Sequence, residues 1–176
     1  LVTVELTTSV HAEDSYTVSV SNVKDRATSP NTIAANSTTI YAYVDETKPT
    51  IISVVMENEN SLLVNFSESM DQTTAEQKAN YAISNSIQVS SATLVNDSTV
   101  RLATSSHSEL QYRLTVSGVK DRANDANTIE ANSSYDYQYN DQTAPELVSA
   151  QATAENKVQL TFSEPMQQAS AEIASN

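Results

Sequence analysis

The side chains able to do chemistry in this chain are mostly carboxylates: 22 Asp plus Glu stand against 9 Lys plus Arg, a formal charge of −13. Several sit in polar, turn-like stretches, as the pairs Asp45 and Glu46, Glu68 and Asp71, and Asp121 and Asp125. Hard carboxylate oxygens are what Ca²⁺ takes, roughly six to eight of them at about 2.3–2.6 Å. Catalysis finds little to work with. The chain has no Cys, so it offers neither a thiol nucleophile nor a disulfide. Its single glycine, Gly118, cannot build a phosphate-cradling loop, and no Ser lies in a nucleophile-elbow pattern. His11 and His107 have no second His nearby, so no zinc motif or triad assembles around them. Each is followed two residues later by Glu, as Glu13 and Glu109, and each reads as a contact at a junction or a solvated loop residue rather than a catalytic base. The expectation is a chain without enzyme activity.

The same charge bounds the partners. An acidic surface repels nucleic-acid phosphates and anionic headgroups, so no nucleic-acid partner is expected. No apolar run reaches about 18 residues, so no membrane insertion is expected in this segment. Ser and Thr make up about a quarter of the residues; a polar, acidic, Cys-free chain of this kind suits a secreted or cell-surface protein of a prokaryote.

These residues must be positioned by something that occurs twice. The stretch SVSNVKDRATSPNTIAANS (19–37) returns as TVSGVKDRANDANTIEANS (115–133), and the offset of 96 aligns 1–80 with 97–176 without a gap. Nearly half of the paired positions are identical. A 96-residue period is too long for a solenoid and matches a small domain. With each unit starting at DETKP or DQTAP, the chain divides into the C-terminal half of a repeat (1–44), a complete repeat (45–140) and the N-terminal half of the next (141–176).

Within the complete unit the runs TIISVVM (50–56) and SLLVNF (61–66) read as strand, turn, strand, and a short helix is expected to begin near Asp71. Strand patterns resume at YAIS, IQVSSATLV, STVRLAT, QYRLTVSGV and YDYQY. About seven short strands between turn signals, with almost no helix, make an all-β sandwich. The lone glycine argues against tight two-residue hairpins and for longer connections. Tyr112, with its copy Tyr16, stands near the start of the second-to-last strand, and reads either as the Tyr that immunoglobulin-like sandwiches often place there, its hydroxyl bonding back to the preceding corner, or as a plain core Tyr.

The segments TAPELVSAQATAENKVQLTFSEPM and YRLTVSGVKDRANDAN resemble the opening and closing signatures of the bacterial Ig-like repeats of S-layer proteins, large surface adhesins and multidomain secreted enzymes. The resemblance implies tandem immunoglobulin-like β-sandwich domains with Greek-key topology. In that fold the loop after the second strand, the loop between the sixth and seventh strands and the linker share one pole. Asp45, Glu68, Asp71, Asp121 and Asp125 would then crowd together as a Ca²⁺ clamp at each interdomain junction, with Asp25, Asp141 and Glu164 serving neighbouring junctions. Against it stands a structural reading, in which Asp121 caps its turn or pairs with Arg122 and Glu68 accepts backbone N–H bonds.

The function expected from this is a structural module of a prokaryotic cell-surface protein, extracellular, acting as a stiff spacer or lattice element in an S-layer, adhesin stalk or fibre. Its partners are then neighbouring copies of itself or adjacent repeats of the same chain. A second reading rests on Tyr135, Tyr137 and Tyr139, which alternate onto one strand face. Exposed, they would stack on sugar rings and make the module a binder of a glycan or host-surface ligand; buried, they favour the spacer.

Overall fold

Alternation decides the strands. In the computed structural model, which describes residues 2–172, Leu62, Val64 and Phe66 of the strand Ser61–Phe66 are buried, while Ser61, Leu63 and Asn65 between them are only half-buried. A period of two is what a pleated backbone with one face on a core produces. The chain divides into two compact units, one running to Tyr139 and one starting at Asn140. Leu1 and 173–176, the outermost residues of the expected half repeats, lie outside the described residues.

The first unit begins with β1 (Asp14–Val20) and β2 (Ser37–Tyr43), paired antiparallel. Seven strands follow: β3 (Ile51–Asn58), β4 (Ser61–Phe66), β5 (Tyr81–Ile83), β6 (Val89–Asn96), β7 (Thr99–Thr104), β8 (Gln111–Val116) and β9 (Ser133–Gln138). They form two antiparallel sheets, in the orders β3-β4-β7-β6 and β5-β8-β9. Between them lies one core, with Leu62, Val64, Val100 and Leu102 from the first sheet and Tyr112, Leu114, Val116 and Tyr137 from the second. The expected helix is a single turn, α1 (Gln72–Ala75), followed by a 3-10 turn at Lys78–Asn80. The second unit holds the hairpin β10 (Leu147–Ala154) and β11 (Lys157–Phe162) and the short helix α2 (Gln168–Ala171).

Two expectations are corrected. Tight hairpins do occur without glycine, since Asn58 pairs with Ser61 and Asn96 with Thr99, leaving two residues in each turn. Asn58 Oδ1 accepts the Asn60 N–H at 2.9 Å and Asn96 Oδ1 the Ser98 N–H at 3.0 Å, so Asn side chains close the turns. A register shift beside each turn absorbs the twist that glycine-based turns would otherwise match. His107, secondly, is neither a junction contact nor a solvated loop residue. It is 4% exposed, and its ring nitrogens meet the Glu59 carbonyl at 2.9 Å and the Tyr137 hydroxyl at 2.8 Å.

The tyrosines of β9 do not form an exposed ladder. Tyr137 is buried and stacked on Tyr112 with ring centroids 5.6 Å apart, Tyr139 packs against the core, and Tyr135 is half-buried. Of the two readings of Tyr112, the corner is the one present. Its hydroxyl donates to the Ser108 carbonyl at 3.0 Å and accepts the Ser108 N–H at 2.9 Å. Tyr112→Phe leaves both Ser108 groups without that partner, which costs about 1–3 kcal/mol. Urea unfolding followed by circular dichroism is expected to show that loss, with the m-value unchanged.

Candidate functional site

The loop between β8 and β9 folds around one carboxylate. Asp121 is 1% exposed; its Oδ1 accepts the N–H groups of Ala123 (3.1 Å) and Asn127 (2.8 Å), and its Oδ2 accepts Asn127 Nδ2 (2.9 Å). Asp25 repeats the pattern, with Ala27 N–H at 3.1 Å, Asn31 N–H at 2.9 Å and Asn31 Nδ2 at 2.7 Å. The residues between these anchors differ, Asn124-Asp125 in one copy and Thr28-Ser29 in the other, while the bonds to the Asp are kept. Of the two structural roles considered for Asp121, turn closure is the one present. Arg122 instead reaches Asp97 at 2.8 Å, on the surface.

Backbone pairing then brings this loop to the one after β4. Met70 bridges Asp121, the Asp71 N–H donates to the Lys120 carbonyl at 2.9 Å, and the Arg122 N–H donates to the Ser69 carbonyl at 3.0 Å. The linker joins through Asn127 Nδ2, which donates to the Asp45 carbonyl at 3.1 Å. Pro49 of the linker is buried, which leaves this segment little freedom.

Three of the five expected ligands meet here. Carboxylate oxygens of Asp45, Glu68 and Asp121 all lie within 4.8 Å of one another. Asp71 is occupied elsewhere: it caps α1, accepting the Thr74 N–H at 2.9 Å, and this bond holds its carboxyl below the usual carboxylate range. Asp125 is exposed and lies outside the group. The three that meet are also those with an acidic copy 96 positions away, as Asp141, Glu164 and Asp25, whereas Asp71 and Asp125 face Gln167 and Ser29. Identity between the copies was the available signal that separates the two groups. Asn127, which ties Asp121 to the linker, is likewise matched by Asn31, an identity that carries no charge to mark it.

Glu68 is the uncomfortable member. Its Oε1 is shielded from solvent and receives no hydrogen bond, contrary to the expectation that it accepts backbone N–H groups. Burial, then the charges of Asp121 and Asp45, push its carboxyl above the usual glutamate range. The second unit shows the same strain at Glu164, whose Oε1 is also shielded and unbonded and whose carboxyl is raised by burial and by Asp141. A divalent cation fits this set. Two oxygens on one Ca²⁺ lie at most about 4.6–5.2 Å apart, so three carboxylate oxygens within 4.8 Å of one another can share the ion, which would offset two of the three negative charges.

No protein-family model matches the chain, and none of the curated proteins matches it. Among solved structures it is similar to the N-terminal part of the bacterial S-layer protein SbsC, at 20% identity and TM-score 0.49 over 59% of this chain and 26% of that one. It is similar also to the S-layer protein rSbsC(31-844), at 20% identity and TM-score 0.49 over 59% and 15%. A third, surface layer protein SbsC domains 1-6, shows 17% identity and TM-score 0.42 over 59% and 16%. The chain thus spans about a quarter or less of the length of these proteins.

A raised carboxylate pKa disfavours the ionised native state, so in the absence of cation stability falls as pH rises through the window above the ordinary glutamate value. In chelator at neutral pH, Glu68→Gln is therefore expected to raise the urea midpoint, while Asp121→Ala lowers stability by about 1–3 kcal/mol through its unpaired N–H donors. A lowered midpoint for Glu68→Gln would mean that its charge is already compensated.

Proposed function

We propose that the chain is a non-catalytic structural module of a prokaryotic cell-surface protein, built of tandem immunoglobulin-like domains and serving as a stiff spacer or lattice element in an S-layer, adhesin stalk or fibre. The strand orders support the Ig-like assignment. Lettered A to G from β3 to β9, the two sheets read A-B-E-D and C-F-G, the division used by constant-type immunoglobulin sandwiches.

The observation that carries the functional reading is the position of Asp45. A linker residue contributes its carboxylate to a group whose other members, Glu68 and Asp121, belong to the body of the following repeat. In this reading Ca²⁺ binds at the junction, draws the linker onto the pole of that repeat and removes slack from the joint. The buried Tyr137 and the packed Tyr139 leave the β9 face engaged with the core, which speaks for a spacer and against stacking on a glycan. The adjacent repeats of the same chain are the partners this arrangement names.

Thermal unfolding tests it. Millimolar Ca²⁺ is expected to raise the midpoint over chelator, by the equivalent of about 2.7 kcal/mol when free Ca²⁺ is 100 times Kd. Asp45→Asn and Glu68→Gln should each abolish most of that gain. A midpoint indifferent to Ca²⁺ in the unsubstituted chain removes the clamp.

A further inference from the structure

One repeated motif has no part in the acidic group. His11-x-Glu13-x-x-Tyr16 recurs as His107-x-Glu109-x-x-Tyr112. The His and Tyr of each copy are anchors. His11 Nε2 lies 2.7 Å from the Tyr41 hydroxyl and the Tyr16 hydroxyl donates to the Ala12 carbonyl at 2.9 Å; His107 and Tyr112 make the matching bonds to Tyr137 (2.8 Å) and Ser108 (3.0 Å). The two bonds flank the Glu and pin the backbone on its N-terminal side.

What that pinned backbone presents is a carboxylate aimed across the joint. Glu13 Oε1 accepts the N–H of Asp45 in the linker at 2.9 Å, and Glu13 Oε2 accepts the N–H of Asn124, in the β8–β9 loop of the following repeat, at 2.7 Å. One side chain thus closes a triangle between the end of one repeat, the linker and the pole of the next. Both donors are backbone groups, so the contact does not depend on the residue type at 124, which is Thr28 in the other copy. Charge-assisted bonds to two N–H groups are strong for their size, and this pair is made by a half-buried acid.

We infer that the His-x-Glu-x-x-Tyr motif is a docking latch: His and Tyr hold the Glu, and the Glu carboxylate seats in a two-amide notch that only the linker and the next repeat together provide. The surface is heterologous, head to tail, and its partner is the following repeat of the same chain. The inference rests on the reading of the chain as joined tandem domains and deepens it, because a direct protein contact sets the joint whether or not a cation is bound. By holding the Asp45 amide, Glu13 also positions the residue whose carboxylate faces Glu68.

The test uses the whole chain in chelator and in Ca²⁺. By amide exchange in solution NMR, the Asn124 and Asp45 N–H groups are expected to exchange about tenfold faster in Glu13→Ala than in the unsubstituted protein. Glu13→Gln, which keeps one acceptor oxygen, should fall between. Since there is no Cys, spin labels can be placed at Thr39→Cys and Thr93→Cys; their distance distribution should be narrow with Glu13 present and broad with Glu13→Ala, in both media. A narrow distribution that Glu13→Ala leaves unchanged overturns the latch while the spacer stands. A Ca²⁺-indifferent midpoint with an intact Glu13 effect removes the cation clamp and supports the latch. A distribution already broad in the unsubstituted chain overturns latch and spacer together.

Discussion

The carboxylate of Asp121 is short of nothing: three N–H groups converge on it from a loop whose only backbone ladder is the isolated Lys120–Thr128 bridge. Where such a loop packs at a pole its backbone must be satisfied, and an Asp that accepts from residues two and six positions on adds to the few backbone bonds across the loop. Once closed, the loop supplies Lys120 and Asp121 for pairing with Met70 and Asp71, and Asn127 for holding the linker. The pole of the domain follows from that closure. Asp25 has the same partners at nearly the same distances, so the repeated segment is repeated for a physical reason.

The same closure creates an electrostatic problem. Placing Asp121 beside Asp45 and Glu68 leaves Glu68 shielded from solvent with one oxygen unbonded, and burial, then the charges of Asp121 and Asp45, raise its carboxyl. Several other acids are paired or capping. Glu57 is held down to about 2 by Arg101, and Asp136 is lowered by Arg113, both at the surface. Such exposed pairs contribute little to stability. Glu68 differs from these pairs in being shielded from solvent and unbonded at Oε1.

Much of this was legible in the sequence because the strands obey a period of two and the repeat fixes their phase. The seven strands of the complete unit, the short helix near Asp71 and the tyrosine corner at Tyr112 all follow from local pattern. The glycine rule misled, because Asn58 and Asn96 close tight turns by side-chain bonds that composition does not reveal. His107 misled for a different reason. Its neighbours in sequence are polar, yet the residue that receives it, Tyr137, lies 30 positions away on β9.

Taken by itself, the sequence determined the unit of 96 residues, its strand content, the polarity of its loops and the set of acids shared by both copies, since these depend on chemistry read along the chain. Only the tertiary structure decided which acids meet. The copies differ at Asp71 and Asp125, but only the fold shows Asp71 turned to cap α1 and Asp125 to the surface. It decided also that Glu13, rather than His11 beside it, reaches the next repeat. A carboxylate finds its partners within about 3 Å through space, and that distance is set by how loops pack at a pole, which no one-dimensional pattern encodes.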